Sequence, residues 1–224
     1  MRLYIQTSEG GDPSPFRIEK LKEYLHLKQC VIEEISSGNA VADSSKADFI
    51  FSPLQPSLPN QFVKLANINV INDEKLSASI LVRGSTGIKN ITNLAGVRIA
   101  FLSPESSTGY QFQQSLFEAA DIVHNKENIT FAETNLAAIS LLLHKDVFAA
   151  GIATPLAKKW AEGNGLIIVA TSKEVDVGGF WVRKDISSEI IENCAKAMLQ
   201  ITKSGEENQK LLRLFPAWVD SFSL

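Results

Sequence analysis

Residues Ser106, Ser107 and Thr108 place three hydroxyls in a row, and Gly109 and Tyr110 follow directly. The row stands between a short apolar run, Arg98 to Phe101, and a stretch of helical period. A helix start leaves several backbone N–H groups without intrahelical partners and carries partial positive charge, so it is a natural cradle for an anion. The hydroxyls would add donors, and Gly109 would let a ligand approach the backbone closely. The competing use is plain capping, in which Ser106 or Ser107 satisfies one amide and binds nothing. A cap needs only one hydroxyl of the three, and ligands of open α/β sheets gather at the carboxyl ends of strands. Both readings stay open on these residues alone.

Other chemistry is sparser. Asp12, Glu105, Asp146 and Asp176 are the carboxylates expected near strand ends, and none is paired in sequence, so no catalytic residue is assigned. His26, His124 and His144 are scattered and read as surface or capping residues, since no nucleophile elbow accompanies them. No GxGxxG, GxxxxGK[ST] or HExxH pattern occurs, so dinucleotide, P-loop and zincin chemistry lack their motif. Cys30 and Cys194 stand far apart without a CxxC pair or a cluster of histidines, which argues against a metal site. They read as two buried free thiols, with their oxidation left open by the sequence, and no metal or cofactor is expected. Asn90-Ile91-Thr92 and Asn128-Ile129-Thr130 fit a glycosylation sequon, a three-residue pattern that arises readily by chance.

The bulk composition is that of an ordinary folded domain: 224 residues, 45% hydrophobic and 21% charged. With 22 Lys and Arg against 25 Asp and Glu and no basic run on one element, the electrostatic footprint of a nucleic-acid binder is missing. No apolar stretch reaches the roughly 20 residues of a membrane span. Met1 to Gln6 reads as a strand and lacks the apolar core of a secretory signal. The expectation is a periplasmic monomer if a signal has been removed, and a cytoplasmic one otherwise.

The elements that must position these residues alternate between short apolar runs and longer helical stretches, which predicts βα units and a largely parallel sheet. Strands are predicted at Leu3–Gln6, Val31–Ile35, Asp48–Phe51, Phe62–Ile71 and Ser79–Arg83, with a helix from Phe16 after the prolines at 13 and 15. The polar stretch Ser36 to Lys46 shows no clear period. Beyond the turn at Gly84–Gly87 come strands at Arg98–Phe101, Ile129–Phe131, Phe148–Ile152 and Leu166–Ala170, and helices over Thr108–Ala120 and Leu136–His144 and from Pro155. After Gly178 and Gly179, a strand Phe180–Val182 is followed by helices to about Lys203 and from Glu207 to Leu214, with no further strand.

The order Ser79-Ile-Leu-Val-Arg83, Gly87-Ile-Lys89, Asn93-Leu-Ala-Gly-Val-Arg-Ile-Ala-Phe101 and Ser106-Ser-Thr-Gly-Tyr110 resembles the phosphonate-type periplasmic binding proteins that serve ABC importers. Phe180-Trp-Val-Arg-Lys-Asp-Ile186 resembles that family's second crossing strand. The resemblance runs from about Ser79 to Asp185. It implies a type II periplasmic-binding fold: α/β, two lobes joined by two crossing hinge strands, with a small anionic or zwitterionic ligand in the interlobe cleft. Lobe one would hold residues 1–78 and 178–224, and lobe two residues 79–177. An ABC permease is the implied partner.

The anion would be held by Ser106, Ser107 and Thr108 with their amides, and assisted from the facing lobe by Ser52, Thr7 and Ser8. Tyr110 and Trp181 are candidate cleft walls, with core the alternative for both and the preferred one for Trp181, inside a strand. The chain departs from the family pattern at Thr134-Asn135, where a Ser-His pair is usual, at Lys145–Phe148, and at Ser77, where an aromatic is usual. Those positions would recognise the rest of the ligand, so a ligand smaller or less cationic than an aminoalkyl phosphonate is expected. Two alternatives share the fold: a ligand-sensing regulatory module and a small-metabolite enzyme.

Overall fold

The computed structural model describes residues 1–40 and 46–224. It divides into two compact units, Met1–Asp73 with Asp176–Leu224 and Glu74–Val175, each built on its own sheet. Ser36 to Gly38 of the polar stretch fall in a strand, and residues 41–45 of it lie outside the described residues.

In the first unit the strands β1 (Arg2–Gln6), β2 (Glu34–Gly38) and β3 (Phe49–Leu54) run parallel, with β1 between the other two. The sheet continues through β10 (Val177–Arg183), β4 (Phe62–Val70) and β11 (Val219–Ser223), each antiparallel to its neighbour, in the order β11-β4-β10-β3-β1-β2. Helix α1 (Pro15–Leu27) opens with proline in the first turn, where its missing N–H costs nothing. Helices α5 (Ser188–Leu199) and α6 (Glu206–Leu212) return to the same unit. The core gathers Phe51, Phe180, Phe215 and Phe222 with ring centroids 4.6 to 6.2 Å apart, mostly in tilted or edge-to-face pairs.

Two expectations are overturned in this unit. A strand does follow the last helices: β11 pairs with β4, but its register shifts between Val219 and Ser221. That bulge breaks the alternation of period two by which a strand is read from sequence. Cys30 and Cys194 are buried as expected yet joined in a disulfide, with Cα atoms 4.6 Å apart. Separation along the chain carries no information about separation in space, and the returning α5 sets Cys194 beside the segment that leaves α1. Tyr24 on α1 confirms that proximity by donating to the Ala197 carbonyl of α5 at 2.9 Å.

The second unit holds the sheet β7-β6-β8-β5-β9, with β5 (Ala78–Arg83), β6 (Ile99–Phe101), β7 (Ile129–Phe131), β8 (Ala149–Ala153) and β9 (Leu166–Thr171). Strand β6 runs parallel to β7 and β8, and β5 is antiparallel to β8 and β9. A π-helical turn, Ser107–Gln111, leads into α2 (Phe112–Ala119), and α3 (Asn135–Leu143) and α4 (Thr154–Ala161) complete the βα series. The core is Ile80, Val82, Leu94, Ile99, Phe101 and Phe117. Arg83 donates to the carbonyls of Leu142 and Val147 and so closes the end of α3.

The strands expected to cross between units each lie in one sheet, β5 in the second unit and β10 in the first. The chain passes over at Asp73–Glu74 and at Val175–Asp176, outside any strand. Asn72 and Asp73 at the first crossing both take left-handed backbone angles, φ 58° and 53°, which short polar side chains tolerate.

Candidate functional site

Because β6, β7 and β8 are parallel, their carboxyl ends share one edge of the second unit's sheet. Each end leads to a helix start: β6 through a short loop to the Ser107–Gln111 turn, β7 through a shorter one to α3, and β8 directly into α4. The Ala132 and Glu133 amides donate to the Phe101 and Leu102 carbonyls, both at 2.9 Å, so the pairing of β6 and β7 extends past the strands. Ser106 to Thr108, Thr134, Asn135 and Thr154 therefore stand on one edge.

The hydroxyl row divides its labour. Ser106 is fully buried and is the N-cap, its Oγ accepting from the Gly109 amide at 2.8 Å. The capping use is correct for this serine. Ser107 Oγ lies 3.1 Å from Gln111 Oε1, and Thr108 is buried, its carbonyl accepting from Gln113 Nε2 at 2.7 Å. The turn closes through Gln111 N–H to the Ser106 carbonyl and Phe112 N–H to the Ser107 carbonyl, a π geometry that recurs at functional sites.

Gly109 does not serve the purpose expected of it. A Cβ there would lie 2.5 Å from Leu102 Cβ and 2.7 Å from Ser106 Oγ, so the room the glycine makes is already filled by its own unit. Its amide is taken by Ser106, and its carbonyl accepts from Leu102 N–H at 3.1 Å. Tyr110 is half-buried between Phe101 and Phe131, edge-to-face with each at 5.1 Å. It braces the turn rather than standing alone as a wall.

On the neighbouring helix, Thr134 is the N-cap, its Oγ1 accepting from the Ala137 amide at 3.0 Å. Asn135 is 9% exposed, and its Oδ1 has no hydrogen-bond partner among the described residues. At the start of α4 a chain of hydroxyls is closed: Ser77 donates to Thr154 Oγ1 at 2.7 Å, Thr154 lies 2.8 Å from Ser79 Oγ, and Ser79 lies 3.0 Å from Thr171 Oγ1. Ser77, where an aromatic is usual in the family pattern, is thus the head of a buried polar network.

The first unit has its own polar edge at the ends of β1, β2 and β3. Thr7 Oγ1 donates to Asn39 Oδ1 at 3.1 Å, and Gln6 Nε2 donates to Ser8 Oγ at 3.2 Å and to the Asn39 carbonyl at 3.0 Å. Ser52 Oγ has one hydrogen and two acceptors in reach, Gln6 Oε1 at 2.6 Å and the Leu54 carbonyl at 2.7 Å. Gln6 and Asn39 organise this edge, and no motif drew attention to either. Glu9, one residue beyond the predicted Ser8, is a buried carboxylate with interactions of its own.

Trp181 is core, packed with Tyr4, Ala47 and Ile50, and Lys64 Nζ stands 5.2 Å from its ring centroid. Burial lowers the Lys64 pKa from the ordinary lysine range, and Asp176 opposes that shift. Of the candidate carboxylates, Asp12 accepts from Arg17 Nε at 2.6 Å, and that hydrogen bond holds it below the usual carboxylate range. His144 ends α3 with Nδ1 2.9 Å from the Ser140 carbonyl. His124 departs from expectation: its ring meets Phe117 at 4.4 Å, both ring nitrogens lack partners among the described residues, and burial lowers its pKa. No group of three or more His, Cys, Asp or Glu side chains suited to a metal occurs among the described residues. A groove of about 450 Å³ lies between α1 and α6, lined by Phe16, Tyr24, Leu27 and Leu211 with a charged rim. It is a helix–helix groove and not a strand-end site.

Residues 61–223 match the family model for the periplasmic substrate-binding protein of phosphonate ABC transporters. Among solved structures the fold is similar to PhnD1 from Prochlorococcus marinus in complex with methylphosphonate, at 13% identity and a TM-score of 0.63, over 100% of this chain and 91% of that one. A protein from Xanthomonas citri bound to chloride ion is similar at 12% identity and a TM-score of 0.64, over 99% and 90%. The binding-protein component of an ABC phosphonate transporter from Pseudomonas aeruginosa follows at 11% and 0.57, over 99% and 80%. Identities this low speak for the fold, that of type II periplasmic binding proteins. No curated protein matches the sequence.

Proposed function

The chain belongs to the family of periplasmic substrate-binding proteins of phosphonate ABC transporters, and from that premise we propose that it captures a small phosphonate- or phosphate-like anion and delivers it unchanged to an ABC permease. The observation that carries the ligand class is the convergence of three helix starts on one strand edge of the second unit, furnished with hydroxyls and an amide rather than with Arg or Lys. Helix starts offer oriented amides and partial positive charge, which suit an oxyanion without a compensating cation.

In this reading Ser107 and Thr108 contact the oxyanion with their hydroxyls and amides. Ser106 fixes the turn as its cap, Gly109 and Tyr110 seat it against Leu102 and Phe131, and Thr134 and Asn135 meet the remainder of the ligand. Thr7, Ser8 and Ser52 are the candidate contacts of the first unit. No residue is given a catalytic role, and Asp12 is tied to Arg17. The disulfide supports maturation in an oxidising compartment, in keeping with a periplasmic family.

Titration calorimetry with methylphosphonate, phosphite, phosphate, methanesulfonate and acetate tests the proposal. Hydrogen bonds to a charged ligand contribute about 1.5–3 kcal/mol each. Ser107→Ala with Thr108→Ala should therefore weaken binding of the preferred anion by roughly a hundredfold or more. Tight binding that is indifferent to the double substitution, or no binding to any of the five, would sink the assignment.

A further inference from the structure

The turn assigned to the anion is clamped by a residue that lies outside it, and the inference drawn from this rests on the cradle reading above. Gln113 sits in the first turn of α2 and is 0% exposed. Its Nε2 donates to the Thr108 carbonyl at 2.7 Å and lies 3.4 Å from the carbonyls of Ser79 in β5 and Ile152 in β8. The Thr108–Gly109 peptide is thereby gripped at both ends, because its N–H donates to Ser106 Oγ at 2.8 Å. Strand β8 has no side chain at Gly151, where a Cβ would lie 2.5 Å from Phe101 Cδ1 and 3.1 Å from Gln113 Cγ, so both side chains pack onto the strand there.

This placement works against stability in one respect. Gln113 Oε1 is buried with no partner among the described residues, a desolvation cost that an apolar side chain of the same length would avoid. What the glutamine supplies in return is geometry. A peptide plane held at carbonyl and amide cannot rotate, so the adjacent donors stay aimed and binding loses less freedom. We infer that Gln113 is a positioning residue for ligand recognition, locking the Ser106–Tyr110 turn onto β5 and β8 in the anion-binding geometry without touching the ligand.

Gln113→Met keeps length and volume but removes the donor. Gln113→Glu restores a donor only while its carboxyl is protonated, a state that burial favours. Both variants and the wild type are titrated with methylphosphonate and with inorganic phosphate, alongside thermal melts. Gln113→Met should lose about tenfold in affinity for the probe that the wild type binds while melting falls by little, because relief of the unpaired Oε1 offsets the Thr108 carbonyl left without its donor. Gln113→Glu should bind weakly near pH 8 and recover towards the wild type, compared at each pH, as pH falls to about 5.

A side chain with a merely structural role would lower melting and affinity together and show no recovery. Affinity within about twofold of wild type for Gln113→Met, or a flat ratio across pH for Gln113→Glu, overturns the positioning role. Either variant decides alone if the other fails to fold. Should the Ser107→Ala, Thr108→Ala protein lose binding while the Gln113 variants keep it, only the positioning role falls. If that double variant binds like the wild type, the cradle falls and the positioning role with it.

Discussion

The two units reach similar sheets by different means. The second is one continuous stretch, Glu74–Val175, in which most helices pack against strands they directly connect. The first is assembled from two stretches, and its central strand pairings, β10 with β3 and with β4, join residues more than a hundred positions apart. Closing such contacts costs chain entropy before they return anything. The first unit answers with a return strand and a disulfide between its two stretches; the second, which has no cysteine, carries the three strand-end helix starts and the buried hydroxyl chain. Long-range closure is thus concentrated in the first unit, and the proposed oxyanion contacts Ser107 and Thr108 stand on the second.

Removing the disulfide attacks the first half of that comparison. Cys30→Ala with Cys194→Ala should cost about 2–5 kcal/mol, towards the lower figure if the second unit stays folded, because a folded insert shortens the effective loop. Hydrogen exchange should show the loss in the amides of β1, β3 and β10 and leave those of β5 and β8 protected. Equal losses in both units would mean that they unfold as one body, and the distinction would not survive.

Gly151→Ala is the converse. The added methyl would stand 2.5 Å from Phe101 Cδ1, and overpacking of this kind costs about 1–3 kcal/mol. The loss should appear in the second unit and be accompanied by weaker anion binding, since Phe101 supports Tyr110 and the same methyl presses on Gln113. A second unit as stable as before, with unchanged affinity, would show that β8 has slack the packing does not reveal.

The smallest effect concerns pH. Burial lowers the His124 pKa, so the neutral ring is the form the fold prefers. Its contribution is present above the unfolded-chain value of about 6.5 and is lost as pH falls through the folded value. Thermal melts between about pH 8 and pH 5 should therefore show a decline that His124→Phe removes, with exchange rates placing it in the second unit. If that substitution leaves the pH profile unchanged, the acid sensitivity has another source.

How much of this was legible follows from where the information sits. The series β6–α2–β7–α3–β8–α4 was readable because each element carries its own short-range signal, an apolar run or a capping Ser or Thr, and Pro155 marks a helix start. Strand β11 was not, because its bulge disrupts the alternation. The Cys30–Cys194 bond, the partners of Gln113 and the neighbours of Gly109 depend on segments brought together only by folding. Ser106 carries both a cap and a cradle reading in sequence, and only the folded turn, in which Gly109 N–H donates to its Oγ, shows the cap. Gln6 and Asn39 passed unnoticed because a lone amide side chain looks the same in sequence whether it faces water or ties three strand ends together.

The disulfide also sets how the molecule carries a mechanical load. A pull applied at Met1 and Leu224 runs along the chain to Cys30, crosses to Cys194 and leaves, so the second unit, which lies wholly between those positions, bears no tension. The oxidised protein can pay out only the contour of residues 1–30 and 194–224, about 200 Å at the extended rise of the backbone. Reduction releases the full chain, roughly 770 Å. An optical-tweezer trace should show a single short extension in oxidising buffer and a long, two-stage one after reduction, with the hydroxyl-lined unit loaded only in the second case.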